Sequence, residues 1–582
     1  MRATFAGLNT MVRGIMANQL SLDTTGHNIT NAGTEGYSRQ VVTLATTYAE
    51  QRPSVHGQVM VGTGVDALAV NRARDVYADI QYWNENPSQQ YYKTLAQNYD
   101  KLETIFDDSR DLGVEDAMNR FYQTWVDLST TASNAASRTQ VIEQGRELSD
   151  RIQNATAELQ EQIRSEYVDL SSELKQIDDI LEEIRVFNKQ IVSHEATGAQ
   201  SNDLRDRRDH LVDELSGYLN ISVTENEIGA YQINSGGVTL VNGTSRAHLI
   251  MSEGVSSSIY GVDYGVTDFN IKVKESNMVF LPQNGILKAR LDAIAENKEY
   301  IDKMANMASF LLSTFNEQHQ QGWDLDGHSK IDSNGDTVPD TINFYGQNGM
   351  SYQYRYDVEN KFNYLYRYDD NAPNDGELLS GVQIINALEV NVKFSENRGD
   401  RYIAAATSKQ YVETSAGEGT WENFAWNDRT GDGTNAVYMS ELFNIPMETI
   451  LSDDKANALV YRDSILRDKK GNAIDENGDI VTDESKYVYA SSMAKLSINS
   501  YYQQSMSYLG INAYSTDVNY ESMQNVITQV QNWRDSTAGV DWNEELTNMI
   551  KFQKGFSSCS RCLTAMDEML DRLVNSTGVV GR

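Results

Sequence analysis

Apolar residues recur at helical spacing at both ends of this chain. Near the C-terminus, Met549, Phe556, Leu563 and Leu570 repeat every seven residues. Phe552, Cys559, Met566 and Leu573 form a second series three positions on. Together they make the a/d seam of a coiled coil. Near the N-terminus, Phe5, Leu8, Val12, Ile15 and Leu22 keep a similar spacing, with Gln19 as a polar break. A seam needs a partner. The simplest are the other end of the chain or a neighbouring molecule; the alternative is that both stripes belong to ordinary core helices of one globule.

Between the ends the pattern changes several times. After the first stripe, the Asn and Gly residues from His27 to Gln40 predict a helix stop and a turn. Short strands are expected at Val41–Leu44 and Val59–Gly62, as a hairpin-like excursion. Helix is expected again from about Val76 to Val192. Its clearest part carries Leu148, Ile152, Ala155, Leu159, Ile163, Tyr167, Leu170, Leu174, Ile177, Leu181, Ile184 and Ile191. The steps alternate four and three except around Leu159, where consecutive fours form a stutter that locally straightens a supercoil. This predicts a rod of roughly 60 Å or more at 1.5 Å per residue.

A charged amphipathic helix is expected around Leu204–Leu215, then strands near Ile221–Thr224 and Gly237–Gly243, then helix from Gly285 to Gln320. From Trp323 to about Val488 apolar periodicity fades and Tyr, Asp, Asn and Gly become frequent, which predicts a β-rich or irregular insert. Helix returns from about Ser491. The expected fold class is therefore α+β and multidomain, with nested segments. Residues 1–40 with 540–582 form a terminal coiled-coil domain, 41–330 with 491–539 a helical rod domain with short β elements, and 331–490 a β-rich inserted outer domain.

Composition narrows the function. The 582 residues carry a formal net charge of −34, which argues against a nucleic-acid partner. Only 6 prolines occur, leaving room for long helices. No apolar run is long enough for a membrane span. Asn9, Arg13 and Asn18 interrupt the first apolar stretch and no small-residue cleavage site follows, so no cleavable signal is expected.

Candidate chemistry is sparse. Cys559 and Cys562 form a C-x-x-C, but no second ligand pair exists for zinc, and the motif lies inside the heptad run. There Cys559 reads as a small hydrophobe of the seam. None of the 7 histidines belongs to an H-E-x-x-H, and nucleotide-binding and nucleophile-elbow motifs are missing. Asp332, Asn334 and Asp336, like Asp475, Asn477 and Asp479, match the start of a calcium loop. Both then lack the required glycine, having Thr337 or Ile480, and the bidentate glutamate, having Asn343 or Lys486. Tyr345, Tyr352, Tyr354, Tyr356, Tyr364 and Tyr366 suggest either a sugar-facing platform or simply tyrosine-rich strands. No catalytic residue, cofactor or metal is expected, and the protein is not expected to be an enzyme.

Four segments resemble the flagellar axial proteins, the family of rod, hook and hook-associated subunits. Asn28, Asn31, Gly36, Tyr37, Ser38, Arg39 and Gln40 are similar to the family's N-I-A-N-x-x-T-P-G-Y-S-R-Q, with departures at Thr30, Gly33 and Glu35. The segment from Asn202 to Ser216 resembles N-D-L-x-D-x-R-D-x-L-x-D-E-L-S. Asn316, His319, Gly322, Asp324 and Gly327 resemble N-x-x-H-x-x-G-x-D-x-x-G. Gly539 to Leu546, with Glu544 and Glu545, is similar to the family's G-V-N-L-D-E-E, departing at Trp542 and Asn543; Cys559 and Cys562 are further departures. Gly431 to Ala436 echoes a G-D-x-x-N-A turn.

The resemblance implies paired terminal helices as an inner coiled coil, a rod around them and β-rich domains outside. It implies a structural subunit that polymerises at the distal end of the hook and connects hook to filament. Its partners would be further copies of itself, the hook protein, the filament-side junction protein and a cytoplasmic export chaperone at the C-terminal helix. Localisation would be extracellular, through the flagellar type III export pathway. Another axial component, or a scaffold with a glycan-binding outer domain, is the alternative.

Overall fold

The computed structural model describes residues 6–54, 57–107, 113–196, 198, 200–254, 262–328, 342–357, 362–369, 372–407, 409–415, 418–423, 430–444 and 496–576. Phe5 and both calcium-like loops lie outside these residues.

The chain opens with α1 (Ala6–Asn31). A long antiparallel excursion follows, built from β1 (Gln40–Thr46), β2 (Glu50–Ser54), β3 (Gly57–Val61) and β4 (Val65–Arg72). β1 pairs with β4 and β2 with β3, so the hairpin is interrupted once along its length. Its proximal half lies on α1, where Arg13 pairs with Asp66 at 3.2 Å.

The helical body comes next. α2 (Val76–Ile105) starts where the Asp75 carboxylate accepts the Tyr77 N–H at 2.9 Å. α3 (Val114–Thr130) leads to α4 (Ala135–Glu195), begun by the Asn134 side chain accepting the Ala136 N–H at 2.9 Å. The 61 residues of α4 span about 90 Å. Every apolar position of the Leu148–Ile191 stripe is buried. α5 (Asn202–Tyr218) packs back on α4 and α2.

Two small antiparallel sheets follow. One runs β5 (Ser222–Glu225), β6 (Tyr231–Ser235), β7 (Val238–Asn242) and β8 (Ser245–Arg246) in order. The other places β10 (Phe269–Val273) between β9 (Leu249–Glu253) and β11 (Met278–Val279). α6 (Ile286–Phe310) continues through a π-helical turn at Leu311–Phe315 into α7 (Asn316–Gln321).

The span predicted as a β-rich insert mixes strands and helices. β12 (Gly322–Trp323) pairs with β16 (Ala406–Thr407). Between them β13 (Met350–Asp357), β14 (Phe362–Asp369) and β15 (Ala372–Leu379) form a meander, followed by the short α8 (Val382–Ala387). β17 (Lys409–Ser415) and β18 (Glu418–Asn423) make a hairpin before α9 (Thr434–Glu441). The chain closes with α10 (Ile498–Ala538), which lies along α2, and α11 (Trp542–Ser576), which lies along α1.

One apolar core unites the rod. It holds Phe121, Trp125, Leu159, Phe315 and Tyr502, and it extends beyond residue 330 to Phe344, Tyr345, Phe394 and Phe443. Part of the predicted insert therefore lies in the rod's own core. Tyr345 and Tyr352 are buried, at 0% and 6% exposure. They do not belong to an outward sugar platform, because Tyr345 packs edge-on against Phe121 and donates its hydroxyl to the Gly145 carbonyl at 3.0 Å.

Candidate functional site: the terminal helix pair and its joint with the rod

α1 and α11 run antiparallel in a constant register. A Cβ on Gly7 would meet Met566, one on Gly14 would meet Cys559, and one on Gly555 would meet Asn18. At the far end Asn28 donates to Glu545. Each step along α1 thus moves the partner equally far back along α11. On α11 the seam residues Met549, Phe552, Phe556, Cys559, Leu563, Met566 and Leu570 are half-buried. A single partner helix cannot enclose them further.

Leu573 is 55% exposed. On α1, Leu8, Val12, Ile15 and Leu22 are half-buried, and Gly7, Gly14, Asn18 and Asn28 also meet α11. Small residues let the helices come close enough to admit the Met566 and Cys559 knobs. Met16 and Leu20 stay exposed at 64% and 38%. Both cysteines are free thiols, with Cys562 exposed.

The base of the pair is a polar knot. Asn28 is 1% exposed and uses its whole amide. Its Oδ1 accepts from the Tyr37 hydroxyl at 2.7 Å and the Gln40 N–H at 2.9 Å. Its Nδ2 donates to the Gln40 carbonyl at 2.9 Å and to Glu545 at 3.3 Å. Arg39 donates to Glu545 at 2.7 Å and to Glu544 at 2.6 Å. Asp541 caps the start of α11 by accepting the Asn543 N–H at 2.7 Å. Burial, then Asp203, Asp206 and Glu545, push the Tyr37 phenol well above its ordinary range, so it acts here as a donor. Asn31 closes the last turn of α1 by donating to the His27 carbonyl at 3.0 Å. Gly36 has φ +74°, and a Cβ there would stand 2.9 Å from His210.

A second set of contacts joins this terminal unit to the rod, and α5 supplies most of it. Asp206 accepts the Ser38 N–H at 3.0 Å and Arg72 at 2.9 Å. Asp209 accepts Arg72 at 2.7 Å and Arg74 at 2.8 Å. Asp203 accepts from Gln40 at 2.8 Å, and Asn202 donates to the Val70 carbonyl at 2.8 Å. Nearby, Arg534 of α10 bridges Asp79 at 2.9 Å and Asp213 at 2.8 Å. Burial raises the Asp209 carboxyl, but Arg74, Arg72 and Arg208 outweigh it and hold it below the ordinary range. Asp213, with burial dominant, sits above that range. The sequence does hold a signal for this row: Asn202, Asp206, Asp209 and Asp213 recur at core spacing along one helix.

The segment from Asn316 to Gly327 seats the later strands. Asn316 donates to the Leu312 carbonyl at 2.7 Å and the Tyr345 carbonyl at 2.8 Å, and accepts the Tyr345 N–H at 2.9 Å. Fully buried His319 faces the Ile342 carbonyl through Nδ1 at 3.1 Å and accepts the Ala404 N–H on Nε2 at 3.1 Å. Gly322 has no room for a side chain, since a Cβ would fall 2.3 Å from Asn435. Among the described residues, no group of three His, Cys, Asp or Glu side chains could hold a metal ion, and no helix is long and apolar enough to cross a membrane.

The geometry defines an elongated structural protein organised around the pairing of its two chain ends. Residues 99–333 match the family described as "Flagellar hook-associated protein FlgK helical domain", and residues 534–576 match "Flagellar basal body rod FlgEFG protein C-terminal". Flagellar hook-associated protein 1 of Bacillus subtilis is 25% identical over 614 residues, covering 100% of both chains. That of Escherichia coli is 23% identical, covering 98% of this chain and 99% of the relative. The solved flagellar hook junction protein FlgK from Burkholderia pseudomallei shares the fold with a TM-score of 0.52 at 13% identity, covering 80% of this chain and 100% of that one. Along its whole length the chain is thus similar to flagellar hook-associated proteins.

Proposed function

We propose that this protein is a structural subunit that polymerises at the distal end of the flagellar hook and connects the hook to the filament. The observation that carries this reading is the pair of matches taken together. The C-terminal match at 534–576 is to a segment named for rod and hook subunits. The match at 99–333 is to the helical domain of a hook-associated protein, which favours the junction over the hook shaft. Repeated contacts of one subunit type build the tube.

The working layout is an inner domain (1–40 with 540–582) on which the β1–β4 excursion lies, a rod (41–330 with 491–539) whose core also takes in Phe344, Tyr345, Phe394 and Phe443, and an outer segment within 331–490. The half-buried seam of α11 leaves apolar surface for neighbouring copies, and the terminal pair gains its full order on incorporation. Until then an export chaperone covers Met549 to Leu573, and the chain leaves the cell through the type III pathway. The hook protein lies beneath the assembled subunits and the filament-side junction protein above.

A deletion strain complemented with this chain tests the proposal. Hooks without attached filaments in the deletion, restored by the chain, together with immunogold label at the hook–filament boundary, are the expected results. Label along the hook shaft would instead make it another axial component.

A further inference from the structure

The first half of α10 carries apolar residues on two opposite faces. Tyr502, Leu509 and Ala513 are buried on the side where the helix lies along α2. On the far side Ile511, Tyr514 and Val518 are 62%, 73% and 46% exposed. Steps of three and four residues place these three on one stripe. Packing within the rod accounts for the first face and leaves the second in solvent.

Gly510 adjoins the exposed stripe. It stands inside a helix, where glycine costs about 1 kcal/mol relative to alanine. A Cβ there would meet nothing within 4 Å. Other helical glycines differ, since a Cβ on Gly14, Gly145 or Gly555 would come within 3.1, 2.6 and 2.3 Å of another side chain. Among the described residues, then, no neighbour requires Gly510 to be small. What a bare backbone on a helix surface permits is close approach by a second body.

Charge selects that body. The chain carries −34 overall, so two copies repel wherever their carboxylates face each other. Yet no Asp, Glu, Lys or Arg lies between Ile498 and Thr516, although charged residues make up 23% of the sequence. A basic partner would be drawn by carboxylates and would gain nothing from their absence. A second copy of this acidic chain needs a surface without them.

We propose that the face of α10 bearing Gly510, Ile511, Tyr514 and Val518 is a contact with a neighbouring copy of this chain, with Gly510 letting that copy reach the α10 backbone. Three exposed apolar side chains fall short of the roughly 1,200 Å² that a stable pair buries. The contact therefore closes only where other contacts already hold the copies together. The inference rests on the reading of this protein as a polymerising subunit, and it adds a surface on the rod to the seam of α11.

The test replaces Tyr514 of the full-length chain by the photo-crosslinker p-benzoylphenylalanine and expresses it in the deletion strain. Irradiated hook–filament particles should yield adducts of two copies, and the free purified chain should yield none. Gly510→Leu should leave the melting of the purified chain unchanged or raise it, since leucine favours helix and meets open space. It should nevertheless lower the yield of two-copy adducts roughly tenfold. Ile511→Glu, which sets carboxylates of neighbouring copies against each other, should lower it likewise. Particles that carry the chain at the hook–filament boundary but give adducts only within one chain, or only with a protein of another mass, would overturn the contact and leave the function standing. Gly510→Leu chains that crosslink at the parent yield would also overturn it. A chain that never enters the particles would overturn both.

Discussion

Gly14 and Cys559 meet across the terminal helix pair, with the cysteine Sγ 3.1 Å from the place a Cβ on residue 14 would take. The contact explains a glycine in the middle of a helix, where it costs about 1 kcal/mol relative to alanine. It also explains the cysteine, which fills the space the glycine leaves.

Gly14→Leu should overpack this point and destabilise the pair by roughly 1–3 kcal/mol. Alkylation reads the effect. In the parent, exposed Cys562 should react faster than half-buried Cys559, and in the variant the two rates should converge.

Replacing Leu563 and Leu570 by Asp should abolish junction assembly while leaving the central body folded, because neither residue belongs to the core that runs through the rod. Electron microscopy of complemented cells checks assembly, and circular dichroism of the purified variant checks the body. Normal filaments on hooks would remove the seam from the assembly mechanism.

His319 should make the rod acid-sensitive. Burial holds its imidazole at about 4 against an ordinary 6.5, despite the opposing Ile342 carbonyl. As pH falls below 6.5 the unfolded chain takes up a proton that the folded chain refuses until about 4. Stability is therefore complete above that window and falls through it, by on the order of 3 kcal/mol. Urea midpoints measured across pH 4 to 7 should show this slope, and His319→Gln should flatten it.

Asn316→Ala should strand the Tyr345 N–H and carbonyl inside the core. The cost is about 1–3 kcal/mol for each buried group left unpaired. A drop in melting temperature, with faster proteolysis between residues 342 and 444, is the expected outcome.

The stripe from Leu148 to Ile191 is legible in sequence because one face of a single helix is buried for most of its length. α1 is harder to read. Part of its contact is made by glycines and Asn28, which carry no hydrophobic signal. The α5 row is hidden for a related reason: charged residues at core spacing look like a solvated face until Arg72 and Arg74 arrive from more than a hundred residues upstream. Phe344 and Tyr345 join the rod's core through packing on Phe121, Trp125 and Phe315, a relation no local pattern records.

The antiparallel register of α1 and α11 ties the first described turn of the chain to one of the last. Neither helix can find its partner until almost the whole polypeptide is present on the same side of any barrier it crosses. A product truncated before Trp542 keeps its rod but has no α11, so α1 stays single. Pairing the two ends thus works as a check on length: a product that stops short of α11 leaves α1 without its partner helix.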